Sequence, residues 1–269
     1  MTMWKTTDCE ANGISINYTR TGGNKPPIIL LHGLMTNGLC WKNLADALEK
    51  EYDIILPDAR GHGKSSAPEH GYFYEDHAKD VVGLIKALSI SPPIVIGHSM
   101  GGMTAALLAS RYPKILRGLI LADPTFLSPI VQHEVWESDA AEQHRRILKM
   151  SLEKVIEEAH TRHPNRSSEI IELMAIARLQ TSMNAFEVLT PPNPDYKQLV
   201  RTIEVPSLLI FGDKGVATPE AAEEIQHLNP NFQIEQIQNA GHGLQFDQPE
   251  IFAAKVKSFL HAVDNAKML

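Results

Sequence analysis

Ser99 stands between small residues in Ile94-Val-Ile-Gly-His-Ser-Met-Gly-Gly-Met103, directly after an apolar β-branched run and shortly before the helix formers Ala105-Ala106-Leu107-Leu108. A strand that turns into a helix within a few residues holds such a serine in a strained backbone conformation and leaves little room for neighbouring bulk. The hydroxyl is then displayed at the C-terminal edge of a sheet. The free N–H groups that open the helix, with its positive dipole end, point where an anion formed at the serine would lie. A nucleophilic serine needs this arrangement, whereas the bland reading is a serine that caps a helix. His242, in Asn239-Ala-Gly-His-Gly243 after the last strand-like run, can reach back over the sheet edge as general base and then general acid. In Leu30-Leu-His-Gly-Leu-Met35 another apolar run ends in a turn, and the backbone N–H of Leu34 is expected to pair with that of Met100 as an oxyanion hole.

The chain has twelve histidines, and most must be structural. His32 and His62 sit in turn motifs, and His98 is expected to face away from the serine. His160 and His163 fall at helical spacing on a charged helix, but no third ligand is marked, so no metal site is expected. Gly63-Lys64-Ser65 imitates the end of a phosphate loop, yet position 58, where its first glycine belongs, is Asp; bound ATP is not expected.

The elements that must position these residues alternate. Strand-like runs cover 14–19, 28–31, 53–56, 94–96, 116–122, 207–211 and 232–237, several of them continuously apolar, as in parallel strands covered on both faces. Helical patterns cover 41–50, 75–88, 100–109, 220–228 and 249–262. That order predicts a doubly wound α/β sheet. From about Ser128 to Pro194 no strand pattern occurs, only helical periodicity that closes in Thr190-Pro-Pro-Asn-Pro194. This predicts a helical cap (128–194) inserted into a core of 1–127 and 195–269. Trp136, Met174, Met183, Phe186 and Leu189 of the cap are candidate walls of a mainly apolar pocket, each with core packing as its alternative.

Composition narrows the partners. The 269 residues carry a formal net charge of −7, which gives no long-range attraction to phosphates, and nucleic acid is not expected as a partner. Cys9 and Cys40 have neither metal-site nor disulfide-framework spacing. The polar N-terminus has no apolar leader core and no stretch approaches a membrane span, so a cytoplasmic, reducing location is expected.

His32-Gly-Leu34, Asp58-Ala-Arg-Gly-His-Gly63, Gly97-His-Ser-Met-Gly-Gly102 and Gly241-His-Gly243, in this order, resemble the α/β-hydrolase superfamily over essentially the whole chain. The resemblance implies a mostly parallel eight-stranded sheet flanked by helices, with a cap after the sixth strand. It also implies a Ser, acid, His triad in that chain order and no cofactor. One position departs from the pattern. Most members carry the acid in Gly-x-x-Asp-x-x-x-Pro after the seventh strand, and here Gly212-Asp-Lys-Gly-Val-Ala-Thr-Pro219 has Gly215 where that Asp belongs. Asp123, at the end of the sixth strand as in zearalenone-type lactonases, is the preferred acid. Asp213 is the alternative, and Asp123 as a mere turn cap is the competing reading. A serine nucleophile argues against the aspartate chemistry of haloalkane dehalogenases and epoxide hydrolases. With few charges marked to grip phosphate or carboxylate, hydrolysis of a neutral, largely apolar small-molecule ester or lactone is expected. A cofactor-free C–C bond hydrolase or lyase, a hydrolase-like ligand receptor and an inactive scaffold are the alternatives; the oligomeric state is left open.

Overall fold

The computed structural model describes residues 4–266. The N-terminal stretch read as leaderless begins with residues 1–3, outside those described. Eight strands form one sheet: β1 (Lys5–Ala11), β2 (Ile14–Arg20), β3 (Pro27–Leu31), β4 (Asp53–Pro57), β5 (Ile94–His98), β6 (Gly118–Ala122), β7 (Ser207–Lys214) and β8 (Phe232–Gly241). Their order is β1-β2-β4-β3-β5-β6-β7-β8. β2 runs antiparallel to β1 and β4, and every other pairing is parallel.

The helices are α1 (Lys42–Leu48), α2 (Tyr74–Ala87), α3 (Met100–Arg111), α4 (Pro129–Glu137), α5 (Ala140–Ile147), α6 (Leu152–Arg162), α7 (Ser168–Leu179), α8 (Tyr196–Thr202), α9 (Pro219–Leu228), α10 (Leu244–Asp247) and α11 (Pro249–Ala266). Among the described residues none is long and apolar enough to cross a membrane. Alternate strand residues face opposite sides, so the sheet carries two cores. Ile29, Leu31, Val95, Leu119, Leu121 and Leu209 pack with α2, α3, α8 and α9. Ile28, Leu30, Ile94, Ile96, Ile120 and Leu208 pack with α1 and α11. Both faces are thus buried, which explains the near-continuous apolar runs.

β1 was not anticipated from the sequence. Its residues, Lys-Thr-Thr-Asp-Cys-Glu-Ala, are mostly exposed at the sheet edge, and only Cys9 and Ala11 reach the core, too short an apolar stripe to mark a strand without its pairing to β2. Helices α4 to α7 and the 3₁₀ segment Met183–Leu189 form an insertion between β6 and α8.

From β3 the chain passes to β4 on one side and then to β5 on the other, so the strand order reverses between β3 and β5. Ligand crevices in open α/β sheets form outside the carboxyl ends at such a reversal. The register converges there. Leu31 lies beside Gly97, His98 beside Ala122, and Lys214 beside Gly241.

Candidate active site

Ser99 follows β5 and immediately precedes α3, with φ 54° and ψ −119°. A non-glycine residue in that region costs on the order of 1–3 kcal/mol and persists only where its surroundings enforce it. The enforcement is steric: a Cβ at Gly97 would lie 2.1 Å from the Gly101 carbonyl oxygen, and one at Gly101 would lie 2.4 Å from that of Leu31. The two glycines therefore let the strand end, the helix start and β3 close around the serine.

Ser99 Oγ is 2.9 Å from Nε2 of His242, whose Nδ1 is 2.6 Å from Oδ2 of Asp123. Asp123 is wholly buried and itself has positive φ, 43°. An isolated buried carboxylate is expensive unless hydrogen-bonded. Here the N–H groups of Val216 and Ala217 donate to its two oxygens at 2.8 and 2.9 Å, and His242 supplies a third contact. The donors come from the loop after β7, where the sequence lacks the usual acid. A Cβ at Gly215 would stand 2.6 Å from Asp123 Oδ1, so the carboxylate occupies the space that a side chain at 215 would take.

Asp213 lies elsewhere. Exposed on the end of β7, it accepts the Ala240 N–H at 2.9 Å, and this bond holds its carboxyl below the usual range. Its role is to tie β7 to β8 near the His242 loop, not to reach the imidazole.

Leu34 and Met100 both line the cavity that holds Ser99 and His242. Met100 is the first residue of α3, so its N–H has no acceptor within the helix. The Leu34 turn is braced from behind. His32 Nε2 accepts the Ala59 N–H at 2.9 Å, and His62 Nε2 accepts that of Met35 at 3.3 Å. Their Nδ1 atoms face the carbonyls of Gly33 and Arg60, which fixes both as the neutral Nδ1–H tautomer. Burial likewise lowers both imidazole pKa values.

His98, expected to face away from the serine, has a part in the site. Its Nε2 lies 2.7 Å from the His242 carbonyl oxygen and its ring centroid 4.8 Å from that of His242. Burial, and then the charge His242 can carry, push its pKa down to about 3. Asp247 holds the other side of this loop, accepting the Gly241 N–H at 3.0 Å and Nε and Nη2 of Arg166 at 3.0 and 2.8 Å. Arg166 belongs to the insertion, so its ion pair joins that insertion to the histidine loop. Neither link has a spacing signature in the sequence, because both depend on where distant turns meet.

The cavity measures about 880 Å³ and runs from Ser99 and His242 under the insertion. Met174 and Leu189 line it as expected, with Phe126, Val131, Ile171 and Val188. Trp136, Met183 and Phe186 do not. Trp136 is 51% exposed on α4, Phe186 is buried against the His144 ring at 4.9 Å, and Met183 is half-buried at the start of its 3₁₀ segment. Residue type alone nominates each, but the facing of short helices decides the lining. The lining also holds Glu158, Arg162, His163, Arg166 and Arg178, more charge than the sequence predicts.

A family model described as alpha/beta hydrolase fold matches residues 26–249. The chain belongs to this family. It is 27% identical over 263 residues to sn-1-specific diacylglycerol lipase ABHD11 of Mus musculus, covering 92% of this chain and 85% of that one. It is 25% identical over 260 residues to 3-oxoadipate enol-lactonase 2 of Acinetobacter baylyi, covering 93% and 94%. The crystal structure of the N-formylmaleamic acid deformylase of Pseudomonas putida superposes with a TM-score of 0.81 at 25% identity, covering 94% of this chain and all of that one. The chain is thus matched almost end to end by relatives named as a lipase, an enol-lactonase and a deformylase.

Proposed function

We propose that this α/β-hydrolase cleaves a small-molecule carboxylic ester or lactone through an acyl-enzyme, with Ser99, His242 and Asp123 as its triad. The observation that carries the reading is the continuous relay Ser99 Oγ, His242 Nε2, His242 Nδ1, Asp123 Oδ2, at 2.9 and 2.6 Å, with its serine end in a cavity. His242 takes the proton as Ser99 Oγ attacks the carbonyl carbon, and the Leu34 and Met100 N–H groups receive the oxyanion. Collapse breaks the C–O bond, and the proton on His242 passes to the leaving oxygen. Water, deprotonated by the same imidazole, then releases the acid and restores the serine hydroxyl. Asp123 holds the imidazole in the Nδ1–H tautomer and stabilises its cation. Residues 128–194 act as a cap over this site, on a core of 1–127 and 195–269. The lipase and enol-lactonase named above support this bond class.

The test is turnover of a panel of esters, lactones, amides and β-diketones, with fluorophosphonate labelling of the serine. Ser99→Ala is expected to lose labelling and at least ~10⁴-fold in kcat, with an unchanged unfolding midpoint. Ester turnover by the variant near the wild-type rate overturns the mechanism. Ser99-dependent turnover of β-diketones alone moves the assignment to C–C bond hydrolysis.

A further inference from the structure

Arg178 lies in the last turn of α7. Ile171, Met174, Ala175 and Arg178 follow helical spacing, share one face of α7, and all line the cavity that holds Ser99. The apolar stripe of this face therefore ends in a guanidinium. Its Nε is fully buried without a hydrogen-bond partner. Among the described residues, no carboxylate is within ion-pair distance of Arg178 and no acceptor bonds its side chain.

The surrounding charges increase the mismatch. Arg162, on the cavity face of α6 with Val155, Glu158 and Ala159, is likewise unpaired among the described residues. Glu158 is engaged by Arg146 at 3.3 Å, and Arg166 by Asp247 at 2.8 Å. Burial lowers the Arg178 pKa, and the nearby charges of Arg162 and Arg146 lower it further. A cation in the last turn complements the helix dipole, but such a side chain also bonds the terminal carbonyls where it serves as a cap, and the Arg178 side chain makes no such bond among the described residues. A half-buried guanidinium that finds no acceptor in the chain costs stability, and its Nη atoms, which unlike Nε are not sealed off, are the ones that a ligand in the cavity can complete.

We infer that Arg178, assisted by Arg162, is an anion-binding subsite of the active-site cavity, and that the ester or lactone cleaved at Ser99 carries a carboxylate at its far end. A planar carboxylate matches the guanidinium fork, and the apolar wall of Ile171, Met174 and Ala175 accommodates the methylenes between it and the scissile bond. This revises the neutral substrate expected from the sequence. It rests on the proposed hydrolysis for the reacting end, while the binding of the anion stands independently.

The test uses matched esters, p-nitrophenyl hydrogen glutarate against p-nitrophenyl pentanoate and monomethyl against dimethyl glutarate, beside calorimetric titration with glutarate alone. The wild type is expected to favour at least one anionic member by ~10-fold or more in kcat/KM. Arg178→Gln should cut that preference ~10- to 100-fold, chiefly through KM, with Arg178→Lys recovering part of it. Glutarate should bind the wild type and Ser99→Ala, more weakly at high salt, and bind Arg178→Gln at least ~10-fold more weakly. Ser99-dependent cleavage without anion preference, or equal losses on both members of a pair in Arg178→Gln, overturns the subsite and leaves the hydrolase standing. Arg178-dependent glutarate binding in a protein that cleaves no ester leaves the subsite standing and removes the hydrolase.

Discussion

At the scale of single residues, the roles divide between what spacing announces and what only contact reveals. Ser99 and His242 are legible in sequence because a small-residue corner after an apolar run has few other uses. The choice between Asp123 and Asp213 turned on an absence, Gly215, and its physical meaning is the carboxylate of Asp123 filling that gap. Asp123→Asn keeps the shape but favours the wrong imidazole tautomer, so kcat should fall ~10²- to 10⁴-fold. Asp213→Asn, which alters only an exposed tie to Ala240, should change kcat by no more than a few-fold. Rates on a p-nitrophenyl ester decide between them, and the reverse ranking would transfer the acid's role to Asp213. The part of His98 is illegible in sequence because strand alternation says which way a side chain leaves the sheet, not which distant carbonyl it meets.

At the scale of elements, the parallel strands and flanking helices follow from apolar runs and helical spacing, while β1 escapes because an edge strand need bury little, here only Cys9 and Ala11. The insertion was legible as helical but not in its facing. Periodicity marks a stripe on each of α4 to α7, and packing against the core decides whether that stripe meets the cavity. This is why Met174 lines it and Phe186 packs behind it on His144. The Arg166–Asp247 pair connects the insertion to the loop of His242, with Arg166 only 9% exposed. Arg166→Met should lower unfolding free energy by ~1–3 kcal/mol and reduce kcat several-fold, since Asp247 then stays half-buried without its cation. Urea unfolding and initial rates measure both effects. A variant unchanged in stability and rate would show that the insertion is held by its apolar contacts alone.

For the whole molecule, the buried histidines determine behaviour in acid. His77 and His98 are buried with pKa values pushed down to about 3, chiefly by burial, and burial lowers those of His32 and His62 as well. In the unfolded chain these imidazoles titrate near ~6.5. Between that value and the depressed folded ones, the unfolded state binds protons that the native state does not, so stability falls as pH falls. Each such histidine contributes up to ~1.4 kcal/mol per pH unit below ~6.5. Urea unfolding at pH 7.5 and 5.0 should show a marked loss at the lower pH, and His77→Gln should flatten the slope. Equal stability at both would mean that these imidazoles are protonated in the fold. Net charge and hydropathy carry no trace of this, because it depends on which histidines the two cores enclose.

The contact between Asp123 and the empty side of Gly215 means that a side chain at 215 and the carboxylate of Asp123, where it now lies, compete for one space. A Cβ at 215 would stand 2.6 Å from Asp123 Oδ1, and two carboxylates so crowded would share a proton rather than both ionise. A lineage that moves the acid from one position to the other meets this conflict on the way. The exchange has to pass through a form with two carboxylates sharing one proton, or through one with none. On the proposed triad, the residue that orients the histidine behaves as a two-position switch between neighbouring strands, set here at β6 and kept there by the glycine on β7's side.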